Sequence, residues 1–241
     1  MNDFQISDIH MHCVWGYDDG SESRDMTREL LRQAREQGVR RIACTSHGNA
    51  FCTSQMAYDR QFALLQELVA AEFPEMQVCT GTEIRVYPGD EAQTAQMLAD
   101  GQLHYLGRSQ RAMIELSVHA PLEAELEVLE KLLALNVQIV VAHAERYHHF
   151  AGHIEAVEAL VEKSVRIQIN AYSLELEHSR DVRHRARELV RRGLVHYIGS
   201  DAHRTTHRPP LYTEGVQWIY GNVPRDYADQ IVWKNAEEFF G

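Results

Sequence analysis

The sequence predicts an α/β domain, in which helices cover both faces of a parallel sheet. The chain has 241 residues, 44% of them hydrophobic, which is enough to bury one full core. Apolar, β-branched runs alternate along it with helical patterns, an order that is typical of parallel sheets. No linker rich in Pro, Gly or Ser divides the chain, so residues 1–241 are expected to form a single domain.

The strands and helices follow from the spacing of apolar residues. Seven short runs are predicted to be strands, near residues 4–9, 39–44, 77–84, 112–116, 137–142, 165–169 and 195–199. Helical spacing places apolar residues on one face of three intervening segments: Met26, Leu30, Leu31 and Ala34; Tyr58, Phe62, Leu65 and Val69; and Leu122, Leu126, Leu129 and Leu133. Gly38 is placed to end the first of these helices. Residues 85–111 carry no readable pattern.

Polar side chains occur at the carboxyl end of every predicted strand. In a strand, residues two apart point to the same side, so His10 and His12 can share a target, as can Asp201 and His203. The remaining strand ends carry His47, Glu83, Glu115, His143 and Asn170. In barrels of alternating strands and helices that end is the active-site face. The pattern therefore indicates a metal centre rather than scattered structural histidines.

Each of these residues also has an ordinary structural interpretation. A single histidine at a strand end is more often a hydrogen-bonded core or rim residue than a ligand. Glu83 and Glu115 lie in apolar surroundings, where a carboxylate needs either a metal ion or an arginine as partner. Asp19, in Asp-Asp-Gly, is equally compatible with a turn or a helix cap. No cysteine has the Cys-x5-Arg spacing of a thiol phosphatase, so a cysteine nucleophile is not expected.

Composition excludes several classes of protein. A formal net charge of -11 argues against binding along a nucleic-acid backbone. No apolar run approaches the ~18 residues that span a bilayer, and no secretory signal is visible. The four cysteines form no Cys-x-x-Cys pair, so a reduced protein of the cytoplasm is expected.

The order of the motifs resembles that of the PHP (polymerase and histidinol phosphatase) superfamily. The matching segments are Asp8-Ile-His-Met-His12, Asp18-Asp-Gly20, Thr45-Ser-His47, Gly81-Thr-Glu-Ile84, Ile114-Glu-Leu116, Ala142-His-Ala-Glu-Arg-Tyr147, Gln168-Ile-Asn170, Ser200-Asp-Ala-His203 and Arg208-Pro-Pro210. Three of them, Asp-Asp-Gly, His-x-Glu-Arg-Tyr and Arg-Pro-Pro, resemble the manganese-dependent tyrosine-protein phosphatases of bacterial capsule and exopolysaccharide loci, the CpsB/YwqE-like group. The resemblance covers nearly the whole chain.

The resemblance implies a distorted (β/α)7 barrel of the PHP type that holds three divalent metal ions. One ion would be bound by His10, His12, Glu83 and Asp201; the second by Glu83, Glu115 and His143; and the third by Asp19, His47 and His203. Arg146 and Arg208 match positions that the family uses on the substrate phosphate. The chain departs from many relatives at Gly48, Ala112 and Asn235-Ala236, none of which is an implied ligand.

Mixed carboxylate and imidazole ligands suit Mn, which is expected here, and also Fe or Zn. The leading hypothesis is a metal-dependent protein-tyrosine phosphatase that acts on the cytoplasmic tyrosine kinase of a polysaccharide export system. One alternative is a small-molecule phosphatase for histidinol phosphate or a nucleotide, which would need a closed, specific pocket. The other is a non-catalytic metal-binding regulatory module, which would tolerate the loss of both arginines.

Overall fold

The computed structural model describes residues 4–49, 54–175 and 179–240. Its centre is one sheet of seven parallel strands, hydrogen-bonded in the order in which they occur in the chain. The strands are β1 (Ile6–Met11), β2 (Val39–Gly48), β3 (Gln77–Arg85), β4 (Arg111–Glu115), β5 (Gln138–Val141), β6 (Arg166–Asn170) and β7 (Tyr197–Gly199). Each predicted strand overlaps one of these, so the predicted α/β barrel of seven strands is confirmed.

Helices connect the strands and cover the outside of the barrel. In the described part of the chain they are α1 (Arg24–Glu36), α2 (Gln55–Glu72), α3 (Glu91–Ala99), α4 (Leu122–Ala134), α5 (Ile154–Glu162), α6 (Arg180–Arg191), α7 (Thr213–Asn222), α8 (Arg225–Val232) and α9 (Glu237–Phe240). Short 3-10 turns occur at Ala144–Arg146, His148–Phe150, Ala171–Leu174 and Lys234–Ala236. None of the helices described here has both the length and the apolar character that crossing a membrane requires.

The three predicted helices are confirmed as α1, α2 and α4. Helix α1 ends two residues before Gly38, whose φ of 101° and close approach to the Phe4 carbonyl leave no room for a Cβ. Helix α3 lies in the stretch where the sequence showed no pattern. On α4 the most buried face is shifted by one residue from the prediction, because Val128, Leu129 and Leu132 face the sheet.

Two apolar clusters hold the barrel together. The larger lies between the strands and the surrounding helices. The smaller joins strand residues of β1, β2, β4, β5 and β7 with Phe239 of α9, whose ring lies 5.2 Å from that of Tyr197. Because these strands are distributed around the whole barrel, the smaller cluster fills the barrel interior.

A buried carboxylate joins the first strand to the last. Asp8 accepts hydrogen bonds from the Ser200 backbone N–H at 3.0 Å, from the Ser200 hydroxyl at 2.6 Å and from the Tyr212 hydroxyl. Just beyond, the Asp201 N–H donates to the His10 carbonyl at 2.7 Å and the His12 N–H to that of Ala202 at 2.9 Å. These bonds close the barrel and place Asp201 beside the two histidines.

We predict that Tyr212→Phe lowers the free energy of unfolding by about 1.5–3 kcal/mol, the usual contribution of a hydrogen bond to a charged group. The cause is that Asp8 loses one of its buried donors. Tyr220→Phe is the matched control, since its hydroxyl also bonds a carboxylate, that of Asp229 at 2.9 Å, but near the surface. Urea denaturation of both variants measures the free energy of unfolding. Equal losses in the two variants would show that the buried hydrogen bond from Tyr212 to Asp8 contributes no more than the one near the surface.

Candidate metal centre

The side chains predicted from the strand ends meet at one end of the barrel. His10, His47 and Glu83 lie in the strands themselves, and Glu115 is the last residue of β4. His143, Asp201 and His203 follow β5 and β7 within a few residues. His47 and Glu83 are direct neighbours in the register of β2 and β3. The barrel therefore brings residues from six strands and their following loops to one point.

Two histidines and two carboxylates form the centre of this group. The Nε2 atoms of His10 and His12 lie 3.3 Å apart. Glu83 Oε2 is 3.3 Å from the first nitrogen and 3.2 Å from the second, and Asp201 Oδ1 is 3.6 Å from both. All four residues are buried. Four ligand atoms that face each other at these distances are suited to holding one metal ion.

A second group lies at the rim of the centre. Asp19 Oδ1 is 3.4 Å from Nε2 of His47 and 3.4 Å from Nε2 of His203. A ring nitrogen of His12 lies close enough to these ligand atoms to belong to the same group. The His12 ring also stacks on that of His203, with 3.8 Å between centroids. The structure thus brings together Asp19, His47 and His203, as the resemblance implies, and adds His12.

In the third set, His143 and Glu115 each lie close to Glu83. His143 Nε2 lies 2.8 Å from Glu83 Oε1, as expected of two ligands of one ion. Glu115, however, groups with Glu83 and His47, whose Nδ1 is 3.1 Å from Glu83 Oε2. Glu115 also forms an ion pair of 3.0 Å with Arg85, which is the arginine partner that a half-buried carboxylate can use in place of a metal.

The two arginines reach the centre through Asp201. Arg146 Nη1 lies 2.8 Å and Arg208 Nη2 2.5 Å from Asp201 Oδ2, and Arg208 Nη1 is 3.1 Å from His203 Nε2. The two side chains remain 38% and 32% exposed. Both guanidinium groups therefore border the centre and are accessible to an incoming anion.

The charges of the centre compensate each other. Burial alone would raise the pKa of Glu83, but the charge of His10 and the contacts with His12 and His143 hold that pKa well below its ordinary value. Burial would likewise raise the pKa of Asp201, and His10, His143 and Arg208 lower it. Burial, His12 and Arg208 lower the pKa of His203 to about 3. At neutral pH the carboxylates are thus anionic and His203 is neutral, the forms that bind metal. The contacts with Glu83, Asp201 and Asp18 outweigh burial and raise the pKa values of His10 and His12, which would lose their protons on binding a metal ion.

Several polar atoms of the centre are buried without a hydrogen bond. They are Glu83 Oε2, Asp201 Oδ1 and His143 Nδ1. Because a buried polar atom without a hydrogen bond costs free energy, such atoms call for a ligand. Carboxylate oxygens and imidazole nitrogens are common ligands of divalent transition metals. The residues present therefore fit metal ions at this place.

Residues behind the centre hold the imidazoles in position, and the sequence did not identify them as site residues. Asp18 Oδ2 lies 2.8 Å from His12 Nδ1 and accepts from the His47 N–H at 2.9 Å. Gln168 Oε1 lies 3.2 Å from His10 Nδ1 and accepts from the His143 N–H at 2.7 Å. Such partners fix the tautomer and orientation of a metal-binding histidine. The one signal for Asp18 was its position beside Asp19.

Three residues of the site have left-handed backbone conformations. The φ angles are 30° for His143, 54° for Asp201 and 59° for Arg208. Non-glycine residues rarely adopt such angles, and they tend to occur at functional sites, where the surrounding structure holds the strain. The strain thus occurs at residues for which the resemblance implies contact with metal or phosphate.

The chain as a whole is similar to several known proteins. Residues 6–241 match the family model described as capsular polysaccharide synthesis, CpsB/CapC. The tyrosine-protein phosphatase CpsB of Streptococcus pneumoniae is 30% identical over 240 residues, which cover 97% of this chain and 94% of that protein. The tyrosine-protein phosphatase YwqE of Bacillus subtilis is 31% identical over 234 residues, 95% of this chain and 89% of its own length.

A solved structure from the same group has a similar fold. It comes from crystal structures of YwqE from Bacillus subtilis and CpsB from Streptococcus pneumoniae, described as unique metal-dependent tyrosine phosphatases. It superimposes with a TM-score of 0.83 at 28% identity, covering 97% of this chain and 94% of that one. Since the family model matches almost every residue, the chain belongs to the CpsB/CapC family of capsular polysaccharide synthesis proteins.

Proposed function

We propose that this protein is a metal-dependent phosphatase that removes phosphate from phosphotyrosine in a protein substrate. The observation that carries the proposal is the convergence of buried histidines and carboxylates on Glu83, with two accessible arginines at its edge. Related proteins of similar length are named tyrosine-protein phosphatases, which supports the same activity.

Three divalent ions, with Mn as the expected metal, would be held by the nine residues predicted from the sequence. His10, His12, Glu83 and Asp201 would form the central site, as their mutual distances support. The other two sites would be formed by Glu83, Glu115 and His143, and by Asp19, His47 and His203. Bound divalent ions in such a centre supply Lewis acidity toward a phosphate and lower the pKa of water.

The arginines would bind the phosphate. Both guanidinium groups contact the Asp201 carboxylate, so their N–H donors already lie at the edge of the centre, where the charge of a bound phosphate must be compensated. A phosphate dianion presents oxygens that match the planar donor pair of a guanidinium. Arg146 and Arg208 would therefore orient the phosphate and stabilise the charge that develops on its oxygens during transfer.

The openness of the centre favours a protein substrate over a small phosphate ester. Asp19 is 65% and His47 41% exposed, so one side of the group faces solvent directly. A small-molecule phosphatase needs a closed pocket that recognises the rest of its substrate. An open site instead admits a phosphotyrosine, in which the aromatic ring separates the phosphate from the peptide backbone. The two accessible arginines argue against a non-catalytic metal-binding module, which has no use for them.

The substrate that we propose is the tyrosine kinase of a polysaccharide export system, with the reaction taking place in the cytoplasm. The family description, capsular polysaccharide synthesis, supports that setting.

We expect the Mn-loaded protein to hydrolyse phosphotyrosine peptides more efficiently than histidinol phosphate, nucleotides or phosphoserine peptides. Phosphoserine is shorter and reaches the centre poorly. Comparing kcat/KM for these substrates tests the proposal directly. A preference of a hundredfold or more for histidinol phosphate or a nucleotide would overturn the tyrosine-phosphatase assignment and leave a small-molecule phosphatase.

Glu83→Ala should lose more metal than His203→Ala, because Glu83 contacts four histidines of the centre through its two oxygens, whereas His203 lies at the rim. Chelation should abolish the activity of the unmodified protein, and added Mn should restore it. Elemental analysis of the purified variants measures the bound metal. Glu22→Ala is the control, since Glu22 is an exposed carboxylate that pairs with Arg204; full metal content in Glu83→Ala would show that the ligands are misassigned.

Arg208→Ala should reduce kcat about 10²-fold for phosphotyrosine peptides and for aryl phosphates alike, with metal retained. The loss should be similar because the contact is to the phosphate and not to the leaving group. Arg208→Lys should recover only part of the rate, since an ammonium group lacks the paired donors. Arg225→Ala serves as control, because Arg225 is exposed at the start of α8, away from the centre. An unchanged kcat in Arg208→Ala would remove this arginine from the reaction.

A further inference from the structure

A cavity of about 980 Å³ lies beside the metal centre, on the outside of the barrel. Helix α6 forms one wall and the chain around residues 144–154 forms the other. None of the nine predicted metal ligands lines it, and neither Arg146 nor Arg208 does. We call this cavity the basic groove.

Positive charge prevails in the basic groove although the protein as a whole is acidic. Five arginines line it together with two carboxylates, those of Asp181 and Glu188. The formal net charge of the whole chain is -11. A concentration of arginine on one face of an acidic protein attracts anions to that face.

Much of this positive charge has no internal counterion. In the part of the chain that the structure describes, Arg180 and Arg191 have no carboxylate within ion-pair distance. Arg191 instead lies over the ring of Trp218, 5.1 Å from its centroid. Arg187 lies over the same ring and donates to the Leu174 carbonyl, which is also not an anion. An aromatic ring thus positions both Arg187 and Arg191 along the groove, and a backbone carbonyl also holds Arg187.

Arg185 is the deepest cation of the groove. It is only 9% exposed, and its Nη2 is buried without a partner. Its Nε donates to the Glu145 backbone carbonyl at 2.8 Å. The Glu145 carboxylate is used elsewhere, accepting from Ser173 and from the Asn170 N–H. A buried guanidinium nitrogen without a hydrogen-bond partner is costly, and an anion in the groove would supply one.

The groove and the metal centre share one segment of chain. Arg146 of this segment reaches Asp201 in the centre, whereas Ala144 and His148, on either side of it, line the groove. Helix α6 follows β6, so it begins at the end of the barrel where the metal centre lies and runs away from it. A chain that leaves the centre can therefore enter the groove directly.

The groove is too long for a single phosphate ion. From Arg180 to Arg191 the helix advances about 16 Å at 1.5 Å per residue. An extended peptide covers that length with about five residues. We propose that the basic groove binds an acidic segment of the substrate polypeptide next to its phosphotyrosine. This assignment rests on the proposed function, since it names a second contact for the same substrate.

The test compares Arg180→Glu/Arg191→Glu with Arg225→Glu. Arg180 and Arg191 are exposed, so the double variant should fold, which circular dichroism checks. Arg225 is an exposed arginine at the start of α8, a helix attached by Tyr227 to Val195 at the opposite end of the barrel. The substrates are phosphotyrosine peptides that carry either five glutamates (the glutamate peptide) or five glutamines (the glutamine peptide) next to the phosphotyrosine. Each peptide is made in two versions, one with the five residues before the phosphotyrosine and one with them after it.

The double variant should raise KM for the glutamate peptide about tenfold, with kcat unchanged, because the contact lies outside the reacting centre. Its KM for the glutamine peptide and its rate on p-nitrophenyl phosphate should stay as in the unmodified protein, as should all parameters of Arg225→Glu. Equal KM values for both peptides in the unmodified protein, or equal effects of both variants, would overturn the assignment.

A binding measurement keeps the test independent of catalysis. A fluorescent glutamate peptide without phosphate should bind the unmodified protein, weaken as salt rises, and bind the double variant at least fivefold more weakly. If p-nitrophenyl phosphate hydrolysis failed in the unmodified protein, the proposed function would fall, and this binding would still decide the role of the groove. The peptide assignment would be overturned if inorganic phosphate bound the groove saturably and the glutamate peptide bound no more tightly than phosphate. It would also be overturned if phosphatidylserine vesicles bound more tightly than the glutamate peptide.

Discussion

Glu83 is a buried carboxylate at the centre of a ring of histidines, and most of the site depends on how its charge is compensated. Its two oxygens face His10, His12, His47 and His143 at 2.8–3.3 Å. An isolated carboxylate in such a place would be very unfavourable. The imidazoles lower its pKa, so it stays anionic and can bind cations. The barrel must therefore hold four histidines from three different regions of the chain around one side chain.

That requirement explains the construction of the surrounding structure. The barrel is closed between β1 and the segment after β7 by Asp8 and Ser200, which sets His10 and Asp201 next to each other. Asp18 and Gln168 then fix the orientation of the imidazoles from behind. The left-handed conformations of His143, Asp201 and Arg208 are tolerated because these contacts hold the backbone on both sides. Stability and the geometry of the site thus rest on the same hydrogen bonds.

The outside of the barrel adds a second level of recognition. The metal centre and its arginines would recognise only the phosphate, which is the same in every phosphotyrosine. Discrimination between substrates has to come from contacts further along the polypeptide. The basic groove begins near the centre, and within the described residues its Arg180 and Arg191 have no carboxylate at ion-pair distance, so it offers such contacts to an acidic segment.

The sequence by itself determined the strands and the residues that their ends present. Each strand is a short apolar run, and parallel strands present all their carboxyl ends at one end of a barrel, so the strand pattern alone assigns His47, Glu83 and Asp201 to one place. The same local patterns located α1, because helical spacing and a terminal glycine are properties of neighbouring residues. Helix α3 escaped prediction because its short sequence has no clear apolar face.

Tertiary structure alone decided which of these side chains contact each other. Gln168 is 158 residues from His10, and Ser200 is 192 residues from Asp8, so their pairing depends on strand register and barrel closure, which no local pattern encodes. For the same reason Glu115 came to lie near His47 and Arg85, in addition to Glu83. In the sequence, the arginines of α6 have the pattern of an ordinary solvated helix face. Only the packing of α6 beside residues 144–154 shows that they line a groove, because that contact is made between segments distant in the chain.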